Sequence, residues 1–563
     1  MQHAWVSSVP RTMTRILLLL VALPLFPSLP AQTERANVST AGVEADARVL
    51  GHALSFDGRR VAFASAAGNL VPGDTNQEHD VFVRDLNSRT TTRVSLSATG
   101  GELAYGSLFP AISGDGQMVA FLTVAEGVVH TPGNGFPQVY VRDLRNGQAA
   151  RASVDDLGVP AHGFYGALCL SHDGRFVAFQ SSASDLVAGD TNQADDVFVH
   201  DLVLHTTRRV SIATGGAQGI GASTKACIAA DGRKVAFAST AINLVPGDTN
   251  FSEDVFVHDR MTATTIRASV DAAGRQSRSA SGWPAISGDG RQVAFAAAGD
   301  DLVPGDRNGV SDILVKDLGT GAVELVSVAT DTHAAEQPSI TPSLSVDGRF
   351  VAFMSQAYTL VPGDMNLASD VFLRDRWARS TIRVSLASSG SEGNRDSYLP
   401  VLSGNTSTVV FVSHATNLVT NDNNRVEDAF VRDVHAAYQT TYGTGCKGAT
   451  GYPQVYTLGN PVLGTPVWPV GLSQAAGNTP VLLAIAGTAD ALGFGTGCAL
   501  LVGPPWLTVP ELTTPGGVAA HAFAVPNQPE LAGRSVFCQW IVLDPLAPYG
   551  LAFSNGLQAV VGR

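Results

Sequence analysis

Short apolar runs recur along the first three quarters of the chain, between turns rich in glycine, aspartate, asparagine and proline. Each recurrence holds a run such as VAF and, some twenty residues later, a run such as VFV. Valine, phenylalanine, isoleucine and threonine favour strands. Runs that are almost wholly apolar, rather than alternating, are typical of strands buried on both faces. The pattern therefore predicts short strands packed between neighbouring layers.

The recurrence has a fixed period of 58 residues. Its clearest marks are a D-G turn and a phenylalanine six positions later, beginning with Asp57 and Phe63. The turn position is filled by Asp57, Asp115, Asp173, Asp231, Asp289, Asp347 and, in the last copy, Asn405. Seven copies in phase predict a repeat architecture in which each copy is one structural unit.

Each copy contains four predicted strands. In the first copy, one strand leads into the D-G turn and the others are Arg60–Ser65, Asp80–Asp85 and Thr91–Leu96. Four antiparallel strands per repeat, arranged radially, form the blade of a β-propeller. The seventh copy lacks a fourth strand, and Arg35 lies one period before Arg93. We therefore expect an all-β, seven-bladed β-propeller whose N-terminal strand closes the last blade, which leaves no open edge.

The S-x-D-G-R-x-V-A-F segment followed by D-V-F-V-x-D resembles the blades of TolB-like periplasmic propellers, over roughly seven tenths of the chain. The resemblance implies an exported bacterial propeller, and in that family the propeller is a scaffold that contacts envelope proteins. The segment LVPGDTN between the second and third strands departs from the shortest blades of that family.

Residues 1–31 have the pattern of a signal peptide. Arg11 and Arg15 precede the apolar run Ile16–Leu29, and Ala31 is suited to be the last residue before cleavage. The run is too short to span a bilayer comfortably. We expect an exported protein, periplasmic or extracellular, with no integral membrane segment after cleavage and with the propeller at residues 32–437.

Residues 438–563 form a second predicted domain, since the 58-residue phase stops there. From Gly443 to the end, 121 residues carry only seven charged side chains. Apolar segments between glycine, proline and asparagine turns predict a small β-sandwich-like domain. Tyr442-Gly-Thr-Gly-Cys446 and the closing Asp544–Gly556 segment resemble a C-terminal module of exported proteins of planctomycete-like bacteria.

Three cysteines, Cys446, Cys498 and Cys538, lie in this second domain, and export permits disulfides. Cys446 and Cys498 each follow a Gly-Thr-Gly turn, which favours their pairing, but all three pairings remain open. Cys169 and Cys227 are one period apart and are expected to be small buried residues.

The best candidate for a ligand site is a loop between the second and third strands. Aspartate, asparagine and aspartate recur there at relative positions 1, 3 and 7, and Asp-x-Asn is a common start of calcium loops. The candidate metal ligands are Asp74, Asn76, Asp80, Asp190, Asn192, Asp196, Asp248, Asn250, Asp254, Asp306, Asn308, Asp312, Asp364, Asn366, Asp370, Asp422, Asn424 and Asp428. The second copy has Pro132, Asn134 and Gln138 instead. Calcium is the expected cation; the alternative is that these residues only stabilise turns.

Two further patterns involve charge. The chain has 36 Lys+Arg and 49 Asp+Glu, a formal net charge of −13, which disfavours nucleic acid as a partner. Each third strand ends in a basic residue followed by aspartate, as in Arg84-Asp85. We expect these pairs to form ion pairs within or between blades, with His200 and His258 as structural members of the series.

The sequence favours a binding or scaffold module for a protein or carbohydrate ligand over an enzyme. The alternative is a carbohydrate-active hydrolase or lyase that uses the loop face of the propeller. Residues that break the repeat near the blade-to-blade connections could form an aromatic rim for either function: Tyr105, His162, Phe164, Tyr165, Trp283, His333 and Tyr398. Convergence of His162, His333 and unrepeated carboxylates would favour the enzyme.

Overall fold

The computed structural model describes residues 32–330 and 332–434, and parts of the chain between 438 and 560. The later described segments are 438–442, 454–457, 468–473, 475, 479–486, 489–493, 499–502, 507–514, 519–523, 535–543, 552–554 and 556–560. The predicted signal peptide, Cys446 and Cys498 lie outside the described residues. All regular structure in the described residues is β.

Seven four-stranded antiparallel sheets follow one another along residues 33–433, and we call them blades 1 to 7. The first strands are Val49–Leu54, Ser107–Ile112, Tyr165–Leu170, Ser223–Ile228, Ser281–Ile286, Ser339–Leu344 and Ser397–Leu402. The second strands are Arg60–Ser65, Met118–Thr123, Phe176–Ser181, Lys234–Ser239, Gln292–Ala297, Phe350–Ser355 and Thr408–Ser413.

The third strands are Asp80–Asp85, Gln138–Asp143, Asp196–Asp201, Asp254–Asp259, Asp312–Asp317, Asp370–Asp375 and Asp428–Asp433. The fourth strands are Thr90–Arg93, Ala149–Arg151, Thr206–Arg209, Thr264–Arg267, Val323–Leu325, Ser380–Arg383 and, in blade 7, Thr33–Arg35. The second and third strands match the predicted bounds. The fourth strand of blade 1 ends at Arg93 rather than Leu96, because the chain turns and Leu96 pairs with Glu102 instead.

The blades form a closed ring. Each first strand contacts the first strand of the next blade, and that of blade 1 contacts that of blade 7, so the first strands surround the axis. The N-terminal strand Thr33–Arg35 pairs with the third strand of blade 7, with Arg35 opposite Phe430. The prediction of an all-β, seven-bladed propeller closed by its N-terminal strand is confirmed.

A pair of aromatic rings fills the centre of most blades. The phenylalanine of the second strand stacks on a phenylalanine of the third, as in Phe237 and Phe256, whose centroids are 5.9 Å apart. Blade 5 departs from this, because Leu314 lies opposite Phe295. All four side chains are fully buried between adjacent blades. This apolar packing explains why the strands carry unbroken hydrophobic runs.

Beyond Tyr438 the described residues belong to a second compact unit. One sheet contains the strands Tyr438–Tyr442, Pro480–Ala486, Leu507–Leu512, Ser535–Val542, Ala552–Phe553 and Gly556–Val560. A second contains Gln454–Thr457, Trp468–Ser473 and Ala519–Phe523, and a two-stranded sheet contains Ala489–Gly493 and Ala499–Val502. The first two sheets share one hydrophobic core that includes Leu472, Leu483 and Trp540.

Cys538 lies in that core, fully buried. Cys169 and Cys227 lie on the first strands of blades 3 and 4 and pack against hydrophobic clusters, but both are half-buried rather than buried as predicted. No helix in the described part of the chain has the length and apolarity that a membrane span needs.

Candidate functional site

The loop between the second and third strands lies beside the connection to the next blade. In blade 4, Asn250 donates from Nδ2 to the carbonyl oxygen of Ser277 in that connection, at 2.9 Å, and to Oδ2 of Asp254 at 3.1 Å. Its Oδ1 accepts the backbone N–H of Ser252 at 3.2 Å. The bond to the connection is present in all seven blades, at 2.8–3.0 Å. The asparagine therefore fixes these loops to the face of the ring that carries the connections.

An arginine lies between the two aspartates of most loops. In blade 4, Nη1 of Arg267 lies 3.1 Å from Oδ1 of Asp248 and 3.1 Å from Oδ2 of Asp254. All three side chains are buried. The equivalent arginines are Arg93, Arg209, Arg383 and, from the N-terminal strand, Arg35. In these five loops a guanidinium from the fourth strand supplies the positive charge that two buried carboxylates require.

A serine two residues after the arginine holds the second aspartate. Ser269 donates from Oγ to Oδ1 of Asp254 at 2.5 Å and accepts the backbone N–H of Val255 at 3.1 Å. In blade 7 the side chain of Asn37 replaces this serine and donates to Asp428 at 2.5 Å. The second aspartate thus joins the loop to both the third and the fourth strands.

A third carboxylate approaches the arginine in blades 1, 6 and 7. In blade 1, Glu102 lies 2.8 Å from Arg93, and oxygens of Asp74, Asp80 and Glu102 lie within 4.8 Å of one another. Burial, and then the charge of Asp80, raises the pKa of Asp74 to about 6 although Arg93 opposes the shift. One guanidinium therefore does not fully compensate for the acidic groups of this loop.

Blade 2 keeps the arginine and has lost both carboxylates. Gln138 occupies the second aspartate position, accepts a hydrogen bond from Ser153 at 2.6 Å and donates to the carbonyl oxygen of Ala161 at 2.9 Å. Arg151 donates to the carbonyl oxygens of Thr131 and Pro132, each at 3.1 Å. The loop retains its shape through hydrogen bonds in which no ion pair with Arg151 takes part.

Blade 5 has the opposite combination, with carboxylates and no arginine. The residue in phase with Arg267 is Leu325, which packs against the hydrophobic cluster that contains Leu314. Asp306 and Asp312 are 5% and 1% exposed, and Oδ1 of Asp306 has no hydrogen-bond partner among the described residues. This loop differs electrostatically from the other five.

Calcium at the six loops stays a prediction. In five of the six loops an arginine pairs with both aspartates. In the sixth loop, that of blade 5, neither Asp306 nor Asp312 forms an ion pair within the described residues. A cation entering any of the five would have to displace the arginine or share the carboxylates with it.

The ion pairs expected at the end of the third strand form with different partners. Asp259 pairs with Arg233 of the D-G-R turn, with 2.7 Å between Oδ2 and Nη2, instead of with its neighbour His258. The basic residues are buried: Lys316 donates to the carbonyl oxygens of Asp271 and Gly321 at 3.0 and 2.7 Å. The prediction of ion pairs within blades is therefore confirmed for the aspartates of blades 1, 3, 4 and 6. The basic residues Arg84, Lys316 and Arg374 instead donate to backbone carbonyl oxygens, because adjacent side chains of a strand point to opposite faces of the sheet.

His200 and His258 occupy this buried position in blades 3 and 4. Each ring shares a hydrogen bond of 2.9 Å with a threonine of the fourth strand, Thr207 or Thr265. Burial lowers the pKa of His200 to about 4, so its ring is neutral at pH 7. Their role is structural, as the sequence indicated.

The third residue of every first strand has a positive φ. These residues are Gly51, Phe109, Ala167, Lys225, Trp283, Thr341 and Leu399, with φ between 30° and 84°. The strand register shifts at each of these points, which is a β-bulge. Phe109 and Trp283 are 47% and 43% exposed. Since the blade faces are covered by neighbouring blades, we place the exposed side chains of these innermost strands in the central channel.

One cluster in the channel combines an aromatic ring with both signs of charge. Nζ of Lys225 lies 4.8 Å from the ring centroid of Trp283 and 3.2 Å from Oε2 of Glu253. The backbone of Glu253, at the end of the blade 4 loop, accepts the N–H of Ser281 at 2.7 Å. The cluster therefore lies on the same face as the Asp-Asn-Asp loops.

The other predicted rim residues are distributed around the ring. His162, between blades 2 and 3, lies 2.6 Å from Asp185 through Nδ1, and His333 lies between blades 5 and 6. Tyr105 and Phe164 are exposed, whereas Tyr165 is buried. Tyr398 packs its ring 5.8 Å from that of His414, which pairs with Glu427 at 3.1 Å. Sequence reasoning placed His162 and His333 in one rim, and the structure separates them by three blades.

Comparisons with known proteins concern the fold. No protein-family model matches the chain, and no curated protein sequence matches it. Among solved structures, the chain is similar to a putative TolB from Agrobacterium tumefaciens, with 14% identity, a TM-score of 0.32, and coverage of 69% of this chain and 98% of that one.

Two further solved structures are similar at the same level. The RRP9 WD40 repeats match with 9% identity and a TM-score of 0.38, covering 72% of this chain and 99% of that one. Prolyl oligopeptidase B from Galerina marginata, bound to a 35mer substrate, matches with 11% identity and a TM-score of 0.36, covering 77% and 56%. The assignment as a propeller rests on the chain's own seven sheets.

Proposed function

We propose that this chain is an exported β-propeller that acts as a binding or scaffold module, with its ligand at the channel mouth on the face of the Asp-Asn-Asp loops. The observation that carries the proposal is the Lys225–Trp283–Glu253 cluster, which breaks the repeat on that face. A partly exposed tryptophan beside a lysine and a carboxylate suits a sugar ring or a peptide side chain. Its class of ligand is a protein segment or a carbohydrate.

The test is binding of the purified full-length chain to an immobilised glycan array and to a peptide array. W283A should weaken the strongest hit by about 30-fold, the effect of losing roughly 2 kcal/mol at a central aromatic contact. The matched control is W377A, because Trp377 is 60% exposed but lies against Arg349 of a D-G-R turn, on the opposite face. If both variants lost the same amount of binding affinity, or if W283A lost none, the proposal that the ligand binds at this cluster would be wrong.

Export and the second domain belong to the same proposal. The N-terminal pattern of residues 1–31 supports cleavage after Ala31, and the low charge of residues 443–563 suits a β-sandwich-like domain for attachment or association. N-terminal sequencing of the protein recovered from periplasm and medium should begin at Gln32. Recovery of uncleaved chain from the cytoplasm alone would contradict export.

A further inference from the structure

Blade 5 breaks the electrostatic rule of the Asp-Asn-Asp loops at two positions. The first is Leu325, where blades 1 to 4, 6 and 7 have arginine. The second is Asp300, where the other blades have Gly68, Glu126, Ser184, Ile242, Tyr358 and Thr416. The buried arginine has been lost, and beside the same loop there is a carboxylate that only blade 2, with Glu126, also has. Arg307 within the loop forms no ion pair with Asp306 or Asp312 among the described residues.

Asp300 is directly tied to the loop. Its Oδ1 accepts the backbone N–H of Gly309 at 3.2 Å. The three carboxylates also interact: burial first, and then the charges of Asp306 and Asp300, raise the pKa of Asp312 to about 6. Burial and the charge of Asp300 likewise raise the pKa of Asp306. No basic group offsets these shifts, whereas an arginine does so for Asp74 in blade 1.

The second, independent observation is an unpartnered buried oxygen. Asp306 is 5% exposed, and its Oδ1 has neither a hydrogen bond nor an ion pair among the described residues. An unpaired carboxylate oxygen that is removed from water is strongly unfavourable. In blade 4, by contrast, the equivalent Oδ1 of Asp248 lies 3.1 Å from the guanidinium of Arg267.

The 58-residue repeat also supplies a backbone carbonyl to this loop. The guanidinium of Arg93, Arg267 or Arg383 also donates to a glycine carbonyl at the start of its loop, at 3.1–3.4 Å. The residue in phase in blade 5 is Gly305. The residues in phase with those that bind a guanidinium elsewhere are thus Asp306, Asp312 and Gly305, all of which offer oxygen atoms.

We propose that blade 5 holds one hard divalent cation, Ca²⁺ in an extracellular setting, bound by Asp306 and Asp312 with the carbonyl oxygen of Gly305 as a further ligand and with Asp300 as a nearby negative charge. Hard cations take several oxygen ligands, and carboxylates with backbone carbonyls are their usual protein donors. In blades 1, 3, 4, 6 and 7 the arginine takes the place of the metal. The inference concerns the loop alone and does not depend on which ligand the channel mouth binds.

The test is calorimetric titration of the metal-stripped full-length chain with Ca²⁺ and, separately, Mg²⁺. We expect one equivalent of Ca²⁺ per chain, with a dissociation constant no weaker than about 1 mM, the range of extracellular calcium modules. L325R, which restores the arginine of the other blades, and D306N should each weaken binding more than about 100-fold, beyond the 10–100-fold typical of outer-shell changes. D306N covers the case in which L325R does not fold.

Two controls localise the site. D231N removes an exposed carboxylate of a D-G turn and should leave one equivalent bound. The double variant R267L/I242D copies both departures of blade 5 into blade 4 and should bind a second equivalent. The proposal is overturned if the natural chain binds no Ca²⁺ at about 1 mM, or if L325R and D306N keep full affinity. It is equally overturned if the double variant stays at one equivalent.

Discussion

Nε of Arg35, in the first described strand, lies 3.0 Å from Oδ2 of Asp428 in the last blade. The same guanidinium lies 3.1 Å from Asp422 and 2.5 Å from Glu44. The strand that closes the ring is therefore held by a buried ion-pair cluster as well as by backbone hydrogen bonds. This cluster is the blade 7 version of the arginine site found within single blades elsewhere.

Replacing Arg35 should destabilise the whole propeller. R35L leaves Asp422 and Asp428 buried without their cation, and breaking a buried pair in this way costs about 3–5 kcal/mol of unfolding free energy. Urea denaturation measures the loss. R275A is the matched control, since Arg275 is 82% exposed and its pair with Asp271 contributes at most about 1 kcal/mol. Similar losses in both variants would show that Arg35 does not lock the ring.

The repeated asparagine should matter for stability in every blade, independently of metal. N250A removes the hydrogen bonds to Ser277 and Asp254, and we expect a loss of about 1–3 kcal/mol in unfolding free energy. N250D should cost more, because it adds a carboxylate beside buried Asp254. Melting curves with and without Ca²⁺ check this prediction. If N250A were less stable than the natural chain only when Ca²⁺ is present, Asn250 would be a metal ligand instead.

In the blades that hold an aromatic pair, the third-strand position should tolerate leucine but not alanine. F256A leaves a cavity under Phe237 and should cost about 3–5 kcal/mol in unfolding free energy, as large-to-small core changes do. F256L should cost less than about 1.5 kcal/mol, since blade 5 has Leu314 at the same position. Chemical denaturation measures the unfolding free energy of both variants. If F256L lost as much as F256A, leucine would be tolerated at this position only with the neighbouring side chains of blade 5.

His200 should make stability fall in acid. An unfolded histidine has a pKa of about 6.5, whereas burial lowers the pKa of His200 to about 4 in the folded protein. The folded state favours the neutral ring, so this contribution is present above pH 6.5 and is lost as the pH falls towards 4. The stability difference between the natural chain and H200Q should therefore shift by about 2–3 kcal/mol between pH 7.5 and pH 4. Denaturation at a series of pH values gives the unfolding free energy of both proteins as a function of pH. If the two curves were parallel, the prediction would be wrong.

The sequence predicted the blades closely because their signals are local. The strands Arg60–Ser65 and Asp80–Asp85 follow from apolar runs between turn residues, and the in-phase Arg35 indicated the closing strand. The partner of the loop carboxylates was missed, although its arginine also keeps the 58-residue phase. Arg267 lies thirteen residues after Asp254, and only the pairing of the third and fourth strands brings them together.

The ligand side of the molecule was less predictable. Lys225 and Trp283 are one period apart, yet nothing in the spacing says that their side chains touch across two blades. In the sequence Leu325 resembles any apolar strand residue. Its importance becomes clear only when the structure shows that the arginines at the same position of other blades bind carboxylates. Such sites depend on contacts between repeats, which the period alone does not describe.

The bulge shared by all seven first strands has a consequence for protein engineering. At Gly51, Phe109, Ala167, Lys225, Trp283, Thr341 and Leu399 the backbone has one conformation while the side chain ranges from hydrogen to indole. The scaffold already tolerates glycine, small, basic, β-branched and aromatic residues there. A combinatorial library restricted to these seven codons would therefore vary the chemistry of the central channel while leaving the architecture of the ring intact, and would yield a family of designed channel surfaces on one scaffold.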